Sequence, residues 1–134
     1  MHRFLWLLVP ALLLGYHLTA ASPSPTVPMT TRSSQAPGAK LTVLHVGAPW
    51  CPPCVAMEPA VHEFEKDWKA RVNFVNINAD QHTTSEYATY QDVLHNVEAI
   101  PYTAWIGANG QVLGEKVGYA DAQELDRLTE GYQK

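Results

Sequence analysis

Two cysteines, Cys51 and Cys54, make up the whole cysteine content of this 134-residue chain, and only Pro52 and Pro53 separate them. The stretch Ala48-Pro49-Trp50-Cys51-Pro52-Pro53-Cys54 constrains the fold more than any other because of what flanks it. Ahead of it, residues 41–46 (Leu-Thr-Val-Leu-His-Val) form a short, largely apolar and β-branched run that reads as a buried strand. Behind it, Val55, Met57, Val61, Phe64 and Trp68 recur at the spacing of an amphipathic helix. The pair therefore sits at a strand-to-helix turn, with Cys51 as N-cap, Pro52 at N1, Pro53 at N2 and Cys54 at N3. Proline suits the first helical turn because its missing N–H has no intrahelical partner there.

That placement carries a chemistry. The thiolate is the reactive form of cysteine, and the positive end of a helix dipole with its unpaired N–H groups stabilises it. Cys51, at the end of the helix, is the expected attacking sulfur, and Cys54, one turn deeper, the expected resolving one. A purely structural bridge is disfavoured, since a loop with two intervening residues constrains an unfolded chain little. Half of a zinc site is disfavoured too, because no second Cys-x-x-Cys or His-x₃₋₅-His pair follows; the sequence offers no metal site and calls for no cofactor beyond the disulfide itself.

The stretch resembles the active-site motif of the thioredoxin family, and the resemblance runs over residues 40–134. Pro59 matches the proline that kinks the family's active-site helix. Ile100-Pro101 matches its cis-proline, whose loop lies beside the disulfide and presents backbone to a bound substrate; cis X-Pro bonds are uncommon enough to mark a special turn. Asn109-Gly110 and Gly118 fall where the family has a hairpin turn and a following glycine. The resemblance implies an α/β, thioredoxin-like fold, a reduced β-α-β-α-β-β-α core around a central mixed sheet. It also implies a substrate groove at Ile100, Pro101 and Tyr102, with Trp50, Pro52, Pro53 and His45 as neighbours of the sulfurs.

Taken in order, Met1-His2-Arg3 and the apolar run from Phe4 to Leu14 lead to small residues ending at Ala21. Residues 1–21 have the layout of a secretory signal peptide, with an uncleaved anchor as the rival reading. No cysteine lies nearby to carry a lipid. Residues 22–39 hold Pro23, Pro25, Pro28 and Pro37 among serines and threonines and read as a disordered or extended tether. Residues 40–134 form one domain. Residues 72–78 read as a second strand, parallel to the first because a helix connects them. Thr83 and Glu86 suggest a capping box for a helix presenting Tyr87, Tyr90, Val93, Leu94 and Val97 on one face. Residues 102–106 and 111–117 read as a hairpin turning at Asn109-Gly110. Asp121 and Glu124 suggest a second capping box, opening a last helix with Leu125 and Leu128 inward. The net charge of −4 points to no nucleic-acid partner.

Departures from the family bear on the site. His45 stands where thioredoxin has a buried aspartate, and Asn76 aligns with that aspartate's lysine partner. A neutral imidazole can take a proton from a resolving thiol; the reading favoured here is a core histidine bonded to a neighbour. Gly47 replaces a second tryptophan and Tyr102 replaces a threonine, which alters the expected surface around the sulfurs. His62, His82 and His95 read as solvent-facing. The longer segment between Asp80 and Pro101 is most similar to extracytoplasmic thioredoxin-like reductases, such as the C-terminal periplasmic domain of the thiol:disulfide interchange protein DsbD. This implies a periplasmic or otherwise extracytoplasmic reductase, soluble or N-terminally anchored. Its partners would be exported cysteine-containing proteins and an upstream membrane or periplasmic thiol donor. An oxidant on the same scaffold, or a module that holds a partner or a metal without turnover, are the alternatives.

Overall fold

The computed structural model describes residues 29–134, and eight elements follow one another within them. They are β1 (Arg32–Ser34), β2 (Leu41–Gly47), α1 (Pro52–Trp68), β3 (Asn73–Asn78), α2 (Ser85–Leu94), β4 (Tyr102–Gly107), β5 (Val112–Val117) and α3 (Ala122–Tyr132). The expected signal peptide over residues 1–21 and the first part of the expected tether, residues 22–28, lie outside the described residues.

The five strands form one mixed sheet in the order β1-β3-β2-β4-β5. Only β2 and β3 run parallel, as a helical crossover requires, and the other pairs are antiparallel. Because side chains alternate along a strand, the central strands feed two cores. Val43, Phe74 and Trp105 face α1 and α3 and pack with Met57, Val61, Phe64, Trp68 and Leu125, with Leu128 half-buried against them. Leu44, Val46, Val75, Ile77, Ala104 and Ile106 face the other way, where Tyr87, Tyr90, Val93, Leu94 and Val97 cover them. Asp121 caps the last helix, its Oδ1 accepting the Glu124 N–H at 2.8 Å, while the Glu124 carboxylate that the expected box would turn back pairs with Lys116 Nζ at 2.9 Å. The hairpin turns at Gly110, whose φ of +81° a side chain would resist.

Two findings correct the expectations: an added strand and a shifted helix cap. The tether reading reached too far, and the core is larger than the reduced one expected. Arg32–Ser34 is an edge strand, paired antiparallel with Phe74–Asn76 of β3. Its residues carry no apolar alternation, so local sequence gives no strand signal. Long-range ties hold it instead: Arg32 Nε to Glu65 Oε2 at 2.9 Å, Thr31 N–H to Gln81 Oε1 at 2.8 Å, and Ala36 N–H to Asn73 Oδ1 at 3.0 Å. A charged residue on a short edge strand also discourages further pairing. The second correction is one residue long. Thr84, not Thr83, caps α2, with its hydroxyl accepting the Tyr87 N–H at 3.2 Å and donating to the Gln81 carbonyl at 3.3 Å. That bond to Gln81 fixes which of the two threonines turns inward.

Candidate active site

The first turn of α1 builds the site. Cys51 is its N-cap, Pro52 and Pro53 fill N1 and N2, and the Cys54 N–H points at Cys51 Sγ from 3.3 Å. The two sulfurs are bonded in a disulfide. Cys51 is 5 % exposed and Cys54 not at all, so the outer sulfur is the one at the surface. Pro59 lies inside α1, as its position implied.

The Ile100–Pro101 loop comes to the same place. Its peptide bond is cis, and the Ile100 carbonyl oxygen lies 3.8 Å from Cys51 Sγ. The Gly118 N–H donates to the Pro101 carbonyl at 2.8 Å and ties this loop to the end of β5; Gly118 has a φ of +92°. Trp50 stands beside the sulfurs 66 % exposed, its indole N–H shared between the two Asp80 carboxylate oxygens at 3.1 and 3.0 Å. An indole held at one edge is a fixed apolar surface next to Cys51.

Beneath the helix a polar row crosses the sheet. Arg32 of β1 is opposite Asn76 of β3, Asn76 is beside His45 of β2, and His45 is opposite Thr103 of β4. His45 is buried, with Nδ1 at 3.1 Å from Thr103 Oγ1, and among the described residues its Nε2 has no hydrogen-bond partner. Burial first, and the Arg32 charge second, lower its pKa to about 4, so the ring is neutral at pH 7. The core reading of His45 describes this geometry, though its free nitrogen points towards the volume that borders Cys54.

Two residues sit elsewhere than expected. Tyr102 does not line a groove beside the sulfurs. It shares the α2 face of the sheet with Ala104 and Ile106, buried, and its hydroxyl donates to Glu115 Oε1 at 2.5 Å. Burial and this carboxylate both raise its pKa far above the ordinary phenol range. The strand alternation beginning at Pro101 turns it inward. His62 is half-buried rather than solvent-facing, with Nε2 3.4 Å from Oε2 of the buried Glu58 one turn earlier. His82 and His95 are exposed. Met29, Asn78 and Asp80, which also shape the site, went unread in the sequence. Met29 stands alone in a Pro/Thr-rich run, and the other two lie in and just after a strand with no motif to mark them.

Residues 32–130 match the thioredoxin family. The chain belongs to that family. Among curated thioredoxin relatives it is 34 % identical over 86 residues to the chloroplastic thioredoxin-like protein HCF164 of Arabidopsis thaliana, covering 64 % of this chain and 31 % of that one. It is 28 % identical over 87 residues to the thiol:disulfide interchange protein TxlA homolog of Synechocystis, covering 64 % and 46 %. The chain thus spans less than half the length of either relative. A solved structure of thioredoxin-2, described as a component of malaria parasite protein secretion machinery, superposes with a TM-score of 0.57 at 17 % identity over 69 % of this chain and 84 % of that one, a likeness of fold. Its Cys51–Cys54 disulfide occupies the family's Cys-x-x-Cys position. Among the described residues no group of three or more His, Cys, Asp or Glu side chains could hold a metal ion, and no helix is long and apolar enough to cross a membrane.

Proposed function

We propose that this thioredoxin-like protein works as a disulfide reductase outside the cytoplasm, passing electrons to exported cysteine-containing proteins, and is similar in role to the C-terminal domain of DsbD. One observation carries the reductive direction. The Cys51 sulfur receives a single backbone N–H, that of Cys54, because the two residues between are prolines without one. Oxidising members of such a fold are oxidising because their thiolate form is strongly stabilised. A sulfur with one donor and a helix dipole lacks most of that stabilisation. The extracytoplasmic setting is supported by the apolar run from Phe4 to Leu14 and its small-residue sequel at Thr19-Ala20-Ala21. A relative named as a thiol:disulfide interchange protein supports the exchange chemistry.

In the reaction, an upstream thiol donor first reduces the Cys51–Cys54 disulfide. Cys51, as thiolate, then attacks one sulfur of a substrate disulfide, forming a Cys51–substrate bond and releasing the other substrate sulfur as thiolate, which takes up a proton. Cys54 loses its proton and attacks Cys51 Sγ. The mixed disulfide breaks, the second substrate sulfur leaves as a thiol, and the Cys51–Cys54 bond re-forms. Two electrons pass to the substrate. The backbone of Ile100 beside Cys51, with the fixed Trp50 ring, forms the wall against which a substrate strand would lie.

Trapping tests the roles. Cys54→Ser should accumulate mixed disulfides with exported proteins in whole cells, and Cys51→Ser should accumulate none. Adducts on the Cys51→Ser variant instead would reverse the assignment, and wild-type protein that fails to speed insulin reduction by dithiothreitol would overturn the enzyme reading.

A further inference from the structure

Gly47 leaves a notch beside Cys54, and a residue that precedes it in the chain, Met29, fills it. A Cβ placed on Gly47 would lie 3.2 Å from Met29 Sδ, 3.4 Å from Cys54 Cβ and 3.6 Å from His45 Nε2. The Met29 thioether, the Cys54 side chain and the free nitrogen of His45 therefore border one small volume. Met29 is 7 % exposed although it belongs to no strand or helix, and it packs in one cluster with Ala48, Cys51 and Cys54. Its position is built rather than incidental. The Asn78 side-chain amide donates to the Met29 carbonyl at 2.9 Å, the Asn78 N–H donates to Thr31 Oγ1 at 3.0 Å, and the Thr31 N–H donates to Gln81 Oε1 at 2.8 Å. Three bonds strap residues 29–31 to Asn78 at the end of β3 and to Gln81 just beyond it, the segment that also holds Trp50 through Asp80.

We propose that Met29 is a positioning residue of the redox centre: it plugs the notch at Gly47 and seals Cys54 from water and from outside thiols. A thioether suits this task, being unbranched, apolar and able to fill an irregular gap. A thiol kept dry is held in its neutral form and exchanges slowly with external disulfides. Exchange with substrate is then confined to Cys51, and Cys54 acts only on the sulfur next to it. The segment before β1 is on this view a wall of the active site. The proposal rests on the reading of Cys51 as attacking and Cys54 as resolving sulfur, but its test does not require a substrate.

The test uses the full chain carrying Cys51→Ser, in which Cys54 is the single thiol, and follows its alkylation by iodoacetamide at pH 8. Adding Met29→Ala should raise the rate roughly tenfold, the factor that one unit of thiol acidity makes to the thiolate fraction. Met29→Leu, which refills the notch, should leave the rate near that of the parent. Adding Gly47→Ala to the Met29→Ala variant should bring part of the protection back from the other side. If Met29→Ala unfolds under the assay conditions, Met29→Val carries the same comparison with a smaller opening. A Cys54 that reacts equally fast with methionine or alanine at position 29 in folded protein overturns the proposal, as does Met29→Leu reacting as fast as Met29→Ala. A protected Cys54 in a chain that cannot reduce insulin would sink the reductase reading and leave the plug standing; an active chain with an unprotected Cys54 would do the reverse.

Discussion

The backbone N–H of Cys54 meets the Sγ of Cys51 at 3.3 Å, and no other backbone donor of the first helical turn lies between them. An N-cap acceptor is ordinarily served by the N–H of N2 or N3. Here Pro53 removes the first of these. Replacing Pro53 with histidine returns an N2 donor and adds a side chain that can carry positive charge beside the sulfur. The reduced form should gain stability and the potential should rise by about 30 mV or more, since 30 mV is about 1.4 kcal/mol for a two-electron couple. Equilibration of Pro53→His and wild type in the same glutathione buffer reads the difference directly. An unchanged or lowered potential would show that donors at N2 do not set the poise.

His45 should make the fold sensitive to mild acid. Its folded pKa, lowered to about 4 by burial and then by Arg32, lies below the 6.5 of an unfolded histidine. Between these values the unfolded chain binds a proton that the folded chain refuses, so stability falls as pH drops from 6.5 towards 4. The loss amounts to about 3 kcal/mol over that window. His45→Gln, which keeps a polar group near Thr103 but does not titrate there, should flatten the profile. Urea midpoints at pH 7 and pH 4.5 for both proteins measure it, and parallel losses in the two would clear His45 of the effect.

Thr129 joins the last helix to the sheet. Its hydroxyl accepts the Trp105 indole N–H at 2.8 Å and donates to the Leu125 carbonyl at 2.7 Å, with both side chains buried. Thr129→Val keeps the shape and strands the indole N–H, at a cost of about 1–3 kcal/mol. Adding Trp105→Phe removes the stranded donor, so the double variant should lose less than the sum of the two single changes. Additive losses in urea unfolding would mean that the bond itself contributes little.

How far the sequence could be read follows from which forces were local. The turn at residues 51–54 was legible down to each capping position, because proline chemistry and helix periodicity act within a few residues. The hairpin at Asn109-Gly110 and the Asp121 cap were legible for the same reason. Arg32–Ser34 was not, since a strand of Arg-Ser-Ser exists only through its pairing with β3 and the ties of Thr31, Arg32 and Ala36. Tyr102 was misplaced although the means to place it were present: strand alternation puts it on the face of Ala104 and Ile106, away from Thr103 and His45. Met29 had no signal at all, because its role depends on the missing side chain of a glycine 18 positions later in the chain.

One backbone donor at Cys51 leaves this a reducing pair, and the reduction potential of the wild-type protein reads that poise without any substitution. Titration in glutathione buffers, read by alkylation shift or tryptophan emission, should give a value below roughly −200 mV, on the thioredoxin side of the scale. The Cys51 thiol pKa should lie above about 6. A potential near about −120 mV, with the Cys51 thiolate already formed at about pH 5, would contradict the account.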